Sequence, residues 1–278
     1  MPCRIIDGKK IAEKYLNEAK KYIAENKIRP KLVTILAGND PASLSYVKIK
    51  KRTCESIGIE TEIIRLDPGE KVLLDKIDKL NADPKTNGIL VQLPLPDGIN
   101  TQKIIERINP EKDVDGLHPL NIGRLSYGDE TAAACTPAGI VKILEDEKIQ
   151  IEGTNVTIIG RSIHVGKPLY SLLFNRNATV TMCHTKTKGL EEITKKAEIV
   201  IVAVGKPRFL TAGMIKDGAV VIDVGTNKVG SKLVGDADLD SIKTKASAAT
   251  PVPGGVGPMT VAMLAKNTLS AFRRQENG

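Results

Sequence analysis

Tyr46 and Lys50 stand four residues apart in PASLSYVKIK (41–50), a spacing that puts both side chains on one face of a helix. An amine beside a phenol in a cleft can act as an acid/base pair once burial or a neighbouring cation favours the neutral amine. The same stretch carries Lys48, Lys50, Lys51 and Arg52, a charge run typical of a solvated helix face, and spacing alone favours that plainer reading. Gln92 interrupts the otherwise apolar ILVQLPLP, where a polar side chain must find a partner or be penalised for its burial. It is either a structural hydrogen bond or a ligand contact at the carboxyl end of a strand, where open α/β sheets bind ligands. Pro94 and Pro96 end the strand at once and favour the second. In INPEKDVDGLHP (108–119), Asp113 and Asp115 flank Val114 just before Gly116. Such a pair can hold a divalent metal, orient a substrate amine or cap turns, and turn chemistry is the commonest use of Asp-Gly. His118, next to Pro119, has no evident partner and reads as structural.

A second group of residues suits an anionic ligand. GRSIHVGKP (160–168) lacks the GxGxxG order, but Gly160 and Gly166 flank a turn that leads into a helix. A helix start of this kind takes phosphate on its backbone N–H groups, and Arg161 adds a planar phosphate-binding fork. The strand ATVTMC (178–183) then runs into His184, Thr185, Lys186 and Thr187. An NAD site carries an acidic residue there to accept from the ribose 2′-hydroxyl. Hydroxyls and a cation in that place favour a 2′-phosphate, and so NADP over NAD. PVPGGVGPMT (251–260) packs three prolines and three glycines before a last helix, more than an interdomain turn requires.

The elements needed to position these residues follow from the apolar periodicity. Ile11, Tyr15, Ala19 and Ile23 share a face of a helix over 9–25. KLVTILA (31–37), TEIIRL (61–66) and GILVQLP (88–94) read as strands, and 71–80 as a helix. Asp40-Pro41 has the form of an N-cap followed by Pro at the first helical position, and Gly58 is placed to end that helix. After residue 150, NVTIIG (155–160), ATVTMC (178–183), EIVIVAVG (198–205) and GAVVIDVG (218–225) are strands spaced by helix-length segments, the rhythm of a parallel Rossmann-like sheet. Thr136-Pro137 opens a connecting helix, and MTVAMLAKNTLSAF reads as a terminal helix that packs back on the first domain.

Composition narrows the function class. With 278 residues the chain has room for two α/β domains. Its net charge of +8 invites a nucleic-acid reading, but the lysines are dispersed and only three Phe, five Tyr and no Trp are present for base stacking. A lysine-rich wet surface, or a field that attracts small anions, accounts for the charge better. The opening MPCRIIDGKK contains neither a signal peptide nor a membrane span, so a cytoplasmic protein with no membrane partner is expected. Cys3, Cys54, Cys135 and Cys183 show no metal-binding or disulfide spacing.

Taken together, the motifs closely resemble the bifunctional methylenetetrahydrofolate dehydrogenase/cyclohydrolase family. The matching stretches are PASLSYVKIK, GILVQLPLP, INPEKDVDGLHPLNIGRL, CTPAGIVKIL, IIGRSIHVGKPL, ATVTMCHTKT, VIDVGTN and TPVPGGVGPMTVAML, in family order over nearly the whole chain. The resemblance implies a catalytic, folate-binding α/β domain over 1–118 joined by the helix 259–278, and a Rossmann-like NADP-binding domain over 119–258. It implies that Lys50 is the main catalytic group, that Tyr46 stacks on the folate aminobenzoate, that Gln92 orients Lys50 and that Asp115 anchors the pterin. Ser43, Gly255 and Pro258 would line the folate site. Gly160, Arg161, Ser162, Thr185, Gly205 and Thr226 would form the NADP site. Thr185 stands where serine is more usual, and Thr226 gives GTN where GIN is common, so the resemblance bears on nucleotide preference less firmly than on activity. It further implies a homodimer formed through the nucleotide domain, tetrahydrofolate derivatives as substrates, and a place in one-carbon metabolism. The alternatives are a dehydrogenase without hydrolase activity, a shikimate dehydrogenase-like enzyme, and a non-catalytic folate- or nucleotide-binding protein. Against them stand the presence of Tyr46, Lys50, Gln92 and Asp115 together, and the VQLPLP, DVDG and PGGVGPMT segments.

Overall fold

The computed structural model describes residues 2–277, for Ala42 and Asn277 the backbone only. The chain divides into two compact units: residues up to Glu13 with Thr136–Thr260, and Lys14–Cys135 with the chain from Val261 onward.

In the unit Lys14–Cys135, three parallel strands lie in the order Glu60–Leu66, Lys31–Ala37, Gly88–Val91. The central strand is buried from Leu32 to Ala37, as a strand covered on both faces must be. Val33, Ile35, Ile89 and Val91 pack against Leu73, Ile77 and Ile104 of the helices Glu70–Ala82 and Thr101–Arg107. Helix Pro41–Ser56 starts as its sequence predicts: the Asp40 carboxylate accepts from Ser43 N at 2.7 Å, and Pro41 occupies the first turn, where no N–H is needed. Past its end, Gly58 takes φ +96°, a left-handed turn that favours glycine. The strand expected to run to Pro94 stops at Val91. Gln92 N makes one more ladder bond, to Ile35 O at 2.9 Å, after which Leu93 and Pro94 turn away because proline has no N–H to continue.

Helix Val256–Asn277 returns to this unit from Val261 onward, as the terminal apolar pattern predicts. Arg274 Nε donates to Glu111 at 2.8 Å, and Gln275 Nε2 donates to Asn87 O at 2.9 Å. Lys112, 6% exposed, caps helix Glu70–Ala82, its ammonium donating to the carbonyls of Leu80, Asn81 and Asp83 at 3.0, 2.9 and 2.7 Å.

The other unit is a six-stranded, all-parallel sheet in the order Arg4–Ile5, Ala248–Ala249, Val220–Asp223, Ile199–Val202, Asn155–Ile159, Thr179–Cys183. This is the Rossmann-like arrangement that the second strand series predicts. Ile199–Val202 is buried at every residue, and Val200, Val202 and Val221 join Leu210 and Ile215 in the core. The partition differs from the boundaries read from the sequence at both ends. Residues 2–13 go with this sheet because Arg4 N and Ile6 N bond Ser247 O and Ala249 O, both at 2.9 Å. Residues 119–135 stay with the other unit, where Asn121 Nδ2 donates to Pro110 O and to Asp113 at 3.0 and 2.9 Å. A hairpin, Asn227–Val229 with Lys232–Val234, turns at Gly230 with φ +60°.

Candidate functional site

On helix Pro41–Ser56 the packed side is formed by Ser43, Val47 and Cys54, all nearly inaccessible to solvent. Lys50 lies half-buried beside them, and Tyr46, one turn earlier, is 42% exposed. The Lys50 ammonium donates to Gln92 Oε1 at 2.9 Å, while Gln92 Nε2 donates to Leu93 O at 2.6 Å. Gln92 is therefore a buried amide with both ends engaged, at the carboxyl end of a parallel strand where ligands bind such sheets. The charge run around Lys50 is not uniform, because Lys48, Lys51 and Arg52 do not share its bond to the strand end. Lys51 instead pairs with Glu55 along the helix at 3.0 Å.

The two carboxylates of DVDG separate into different tasks. Asp113 is buried and caps the turn, its oxygens accepting from Gly116 N at 3.0 Å, His118 N at 2.8 Å and Asn121 Nδ2 at 2.9 Å. Burial pushes its carboxyl up, and these donors pull it back. His118 is structural, as read: its Nδ1 accepts from Leu120 N at 3.1 Å and caps helix Pro119–Ser126. Asp115 remains half-buried. Its carbonyl accepts from Cys135 N at 3.3 Å. Gly116 has φ +72°, and a Cβ there would lie 2.6 Å from the backbone of Ala132–Ala134, so the turn presenting Asp115 can only be made with glycine. Cys135 is buried beneath this turn, which pushes its thiol far up, and the charges of Asp115 and Lys50 both reach it.

Asn267 of the last helix escaped the sequence reading. Its Nδ2 donates to Val114 O at 3.0 Å and to Ala133 O at 2.9 Å, the two segments that enclose Asp115. Flanked by Lys266 and Thr268, Asn267 reads as part of a polar helix face, so residue types alone carry no signal for it.

The nucleotide candidates gather in the second unit, at the carboxyl ends of its strands. Gly160, with φ +136°, follows strand Asn155–Ile159, and its Cβ would sit 2.3 Å from Ala203 O. A Cβ at Gly166 would fall 2.1 Å from Gly160 O, so both glycines are required for the turn to close. Arg161 and Ser162 lie exposed on that turn, with Ser162 Oγ accepting from Val165 N at 3.1 Å. Helix Gly166–Phe174 begins without a side-chain cap; Lys167 N is bonded to Ser162 O at 3.0 Å and Pro168 has no N–H, so Gly166 N is what its first turn can offer an anion. Thr185 is exposed just past strand Thr179–Cys183, in a stretch from His184 to Lys188 that contains no carboxylate. Gly205 and Thr226 follow strands Ile199–Val202 and Val220–Asp223 and are both exposed. Two hydroxyls and a guanidinium at the carboxyl ends of parallel strands, with no carboxylate beside Thr185, fit a dinucleotide carrying a 2′-phosphate. Gly255 and Pro258 belong to this same unit, and Tyr46, Lys50, Gln92, Asp115 and Ser43 to the other. A Cβ at Gly255 would come within 2.6 Å of Pro251 O, which accounts for glycine there by packing alone. Among the described residues no cluster of His, Cys, Asp or Glu is arranged to hold a metal, and no helix is long and apolar enough to cross a membrane.

Known proteins can be set beside this geometry. Residues 6–115 match the tetrahydrofolate dehydrogenase/cyclohydrolase catalytic domain, and residues 134–276 match the NAD(P)-binding domain of the same family. The bifunctional protein FolD of Methanosphaerula palustris is 52% identical over 274 residues, covering 98% of each chain. The bifunctional methylenetetrahydrofolate dehydrogenase/cyclohydrolase FolD of Campylobacter jejuni superposes with a TM-score of 0.94 at 44% identity, covering 98% of this chain and 99% of its own. The Trypanosoma brucei methylenetetrahydrofolate dehydrogenase-cyclohydrolase, solved with NADP cofactor and inhibitor, gives a TM-score of 0.95 at 35% identity over the whole of both chains. With both domain types matched in order and the sheet topology of each unit in place, this chain belongs to the tetrahydrofolate dehydrogenase/cyclohydrolase family.

Proposed function

We propose that the chain oxidises 5,10-methylenetetrahydrofolate to the methenyl compound with NADP and hydrolyses that product to 10-formyltetrahydrofolate. The observation that carries this reading is the Lys50–Gln92 pair: an amine held at 2.9 Å by a buried amide at a strand's carboxyl end. We assign folate chemistry to the unit holding Lys50 and nucleotide binding to the unit holding Gly160.

NADP bound against Arg161, Ser162, Thr185, Gly205 and Thr226 supplies the acceptor for the oxidation. The chain's own residues orient the folate, and orientation accounts for much of the rate of such a step. In this reading Tyr46 offers an exposed ring for the aminobenzoate, and Asp115 accepts from the pterin on its glycine-pinned turn.

Hydrolysis begins with water adding to the methenyl carbon. Neutral Lys50 accepts the proton of the attacking water, and the adjacent cationic intermediate favours that neutral form. The carbon–N5 bond then breaks as Lys50 returns the proton to N5, and the adduct's hydroxyl loses its proton to solvent, so that its oxygen becomes the carbonyl of the formyl group on N10 and one proton is released overall. Gln92 keeps the amine aimed throughout, because Oε1 accepts from it while Nε2 is fixed on Leu93 O.

The homodimer belongs to the same reading. Tyr170 and Phe174 stack at 5.9 Å on the surface of the nucleotide unit, with Phe174 60% exposed, which suits a face covered by a second copy. Four free cysteines suit the reducing cytoplasm.

The test is methenyltetrahydrofolate formation with NADP and with NAD, beside methenyl hydrolysis, for wild type and Lys50→Met. Both reactions in wild type with hydrolysis lost in the variant is the expected result. Oxidation without hydrolysis in wild type would leave a dehydrogenase alone, and neither reaction would overturn the reading.

A further inference from the structure

Beneath the loops that carry Gly205 and Thr226 lie two buried carboxylates that the proposed chemistry does not use. Asp236 is wholly inaccessible, and Asp223 is 3% exposed. Asp236 Oδ2 accepts from Val204 N at 2.6 Å and Gly205 N at 2.8 Å, and its Oδ1 accepts from Asn227 Nδ2 at 2.7 Å. Asp223 braces the other side, accepting from Gly225 N and Asp236 N, both at 2.9 Å, and from Ala237 N at 2.8 Å. The packing is tight enough to dictate sequence. A Cβ at Gly225 would lie 2.3 Å from Asp236 Oδ1, and a Cβ at Gly235 would lie 1.8 Å from Asp223 Oδ2.

Three consequences follow from that arrangement. The Val204–Gly205 turn is bonded through both amides to one carboxylate oxygen. Thr226 is gripped from both neighbours, Gly225 by Asp223 and Asn227 by Asp236. The loops after strands Ile199–Val202 and Val220–Asp223 are thereby tied to each other rather than left to move separately. Burying carboxylates this deeply is costly unless every lone pair is occupied, and core stability would be served as well by apolar residues. The return for that cost is a fixed loop geometry at the sheet edge where the dinucleotide is held.

We propose that Asp236, braced by Asp223, is the positioning residue for the end of the dinucleotide that meets Gly205 and Thr226. It acts through those two residues without touching the ligand. The inference rests on the reading of this unit as an NADP site.

The test measures NADP binding by titration calorimetry, the KM for NADP and kcat of the oxidation, methenyl hydrolysis, and amide hydrogen exchange at Val204 and Gly205. Wild type, Asp236→Ala, Asp236→Asn and Asn227→Ala are compared. Asp236→Ala is expected to weaken NADP binding at least tenfold and to speed exchange at both amides. Its defect should fall on KM for NADP and the oxidation, with methenyl hydrolysis close to wild type. Asp236→Asn keeps an oxygen for the Val204 and Gly205 amides, and Asn227 can rotate to meet the new NH2, so binding should recover most of the loss. Asn227→Ala removes one of the three donors on Asp236 and is expected to weaken NADP binding about threefold and to speed exchange at both amides, so it decides the matter if Asp236→Ala does not fold. NADP affinity and amide exchange unchanged in Asp236→Ala, or in Asn227→Ala where the former does not fold, against a wild type that binds, overturns the positioning role alone. A wild type that binds no NADP overturns the functional reading instead.

Discussion

Replacing Gln92 separates the orientation of Lys50 from its presence. In Gln92→Leu the side chain keeps nearly the same volume inside a site only 8% exposed, so packing changes little. What disappears is the 2.9 Å bond from the Lys50 ammonium to Oε1 and the 2.6 Å bond from Nε2 to Leu93 O. Hydrogen bonds to charged groups contribute about 1.5–3 kcal/mol. If that energy serves to aim the amine, about tenfold in rate per 1.4 kcal/mol predicts a loss of roughly 10- to 150-fold in methenyl hydrolysis. Gln92→Glu makes the complementary perturbation. A carboxylate at this distance favours the ammonium, so Lys50 is held in place but in the form that cannot accept a proton. Hydrolysis should fall at least as far as in the leucine variant, and its pH profile should move to higher pH. Oxidation, which asks only for orientation of the folate, should fall less in both. The assay follows methenyltetrahydrofolate decay by absorbance from pH 6 to 10, with urea unfolding to confirm that each variant is folded. Both variants hydrolysing within twofold of wild type, with unshifted profiles, would refute the assignment of proton transfer to Lys50.

Asn267→Leu should destabilise its unit by about 2–4 kcal/mol by leaving two buried carbonyls under-satisfied, and should raise KM for folate more than it lowers kcat. Urea unfolding and steady-state kinetics would check both. Burial pushes the Cys54 thiol up to about 12, leaving roughly one thiolate in 10⁵ at neutral pH, and pushes the Cys135 thiol well above its ordinary range too. Maleimide should therefore label native protein first at Cys3, which is not fully buried, and reach Cys54 and Cys135 only in urea, as read by mass spectrometry. The Glu198 carboxyl is held at about 2, chiefly by the Lys216 ammonium and then by Asn155 N, below its ordinary 4.5. A folded-state value lower than the unfolded one means that its stabilising contribution is complete above about pH 4.5 and is lost as pH falls toward 2. Glu198→Gln should flatten that part of the stability curve in unfolding experiments between pH 6 and 2, by less than about 1 kcal/mol because the pair is part-exposed.

Long-period patterns were legible from residues alone wherever burial is two-sided. KLVTILA is a strand over its whole expected length, and the four later apolar runs all became parallel strands of one sheet. Strand ends were less legible, because apolar character continues past the last ladder bond. GILVQLP reads apolar to Pro94 but pairs only to Val91, and EIVIVAVG pairs only over Ile199–Val202. The two-residue strands Arg4–Ile5 and Ala248–Ala249 could not be read at all. A strand so short has no period, and its partner lies more than two hundred residues away. That one pairing moves the N-terminal segment from one unit to the other.

The site divides along the same line between local and distant causes. The Tyr46–Lys50 spacing is local, yet spacing equally describes a wet helix face. Only the strand end at Gln92, 42 residues on, distinguishes Lys50 from the cations beside it. Asp113 and Asp115 are indistinguishable as letters. Their tasks diverge because Gly116, packed on Ala132–Ala134, turns one carboxylate inward onto three donors and leaves the other half-exposed. Asn267, Asp223 and Asp236 went unread for a related reason. Each is a polar side chain held chiefly by backbone atoms, Asp236 by the Asn227 amide as well, and backbone partners leave no trace in residue identity. Only Asp223, which closes the apolar run VVID, carries a signal, the burial penalty itself; Asn267 in AKNTL and Asp236 in GDADLD have polar neighbours that hide it. In this chain such residues recur beside the groups proposed to touch ligand, Gln92 beside Lys50, Asn267 beside Asp115, Asp236 beside Gly205. A buried polar residue is thus best read as pointing to a neighbour whose geometry must be held, and only where its run is apolar, as at Gln92, does the sequence announce it.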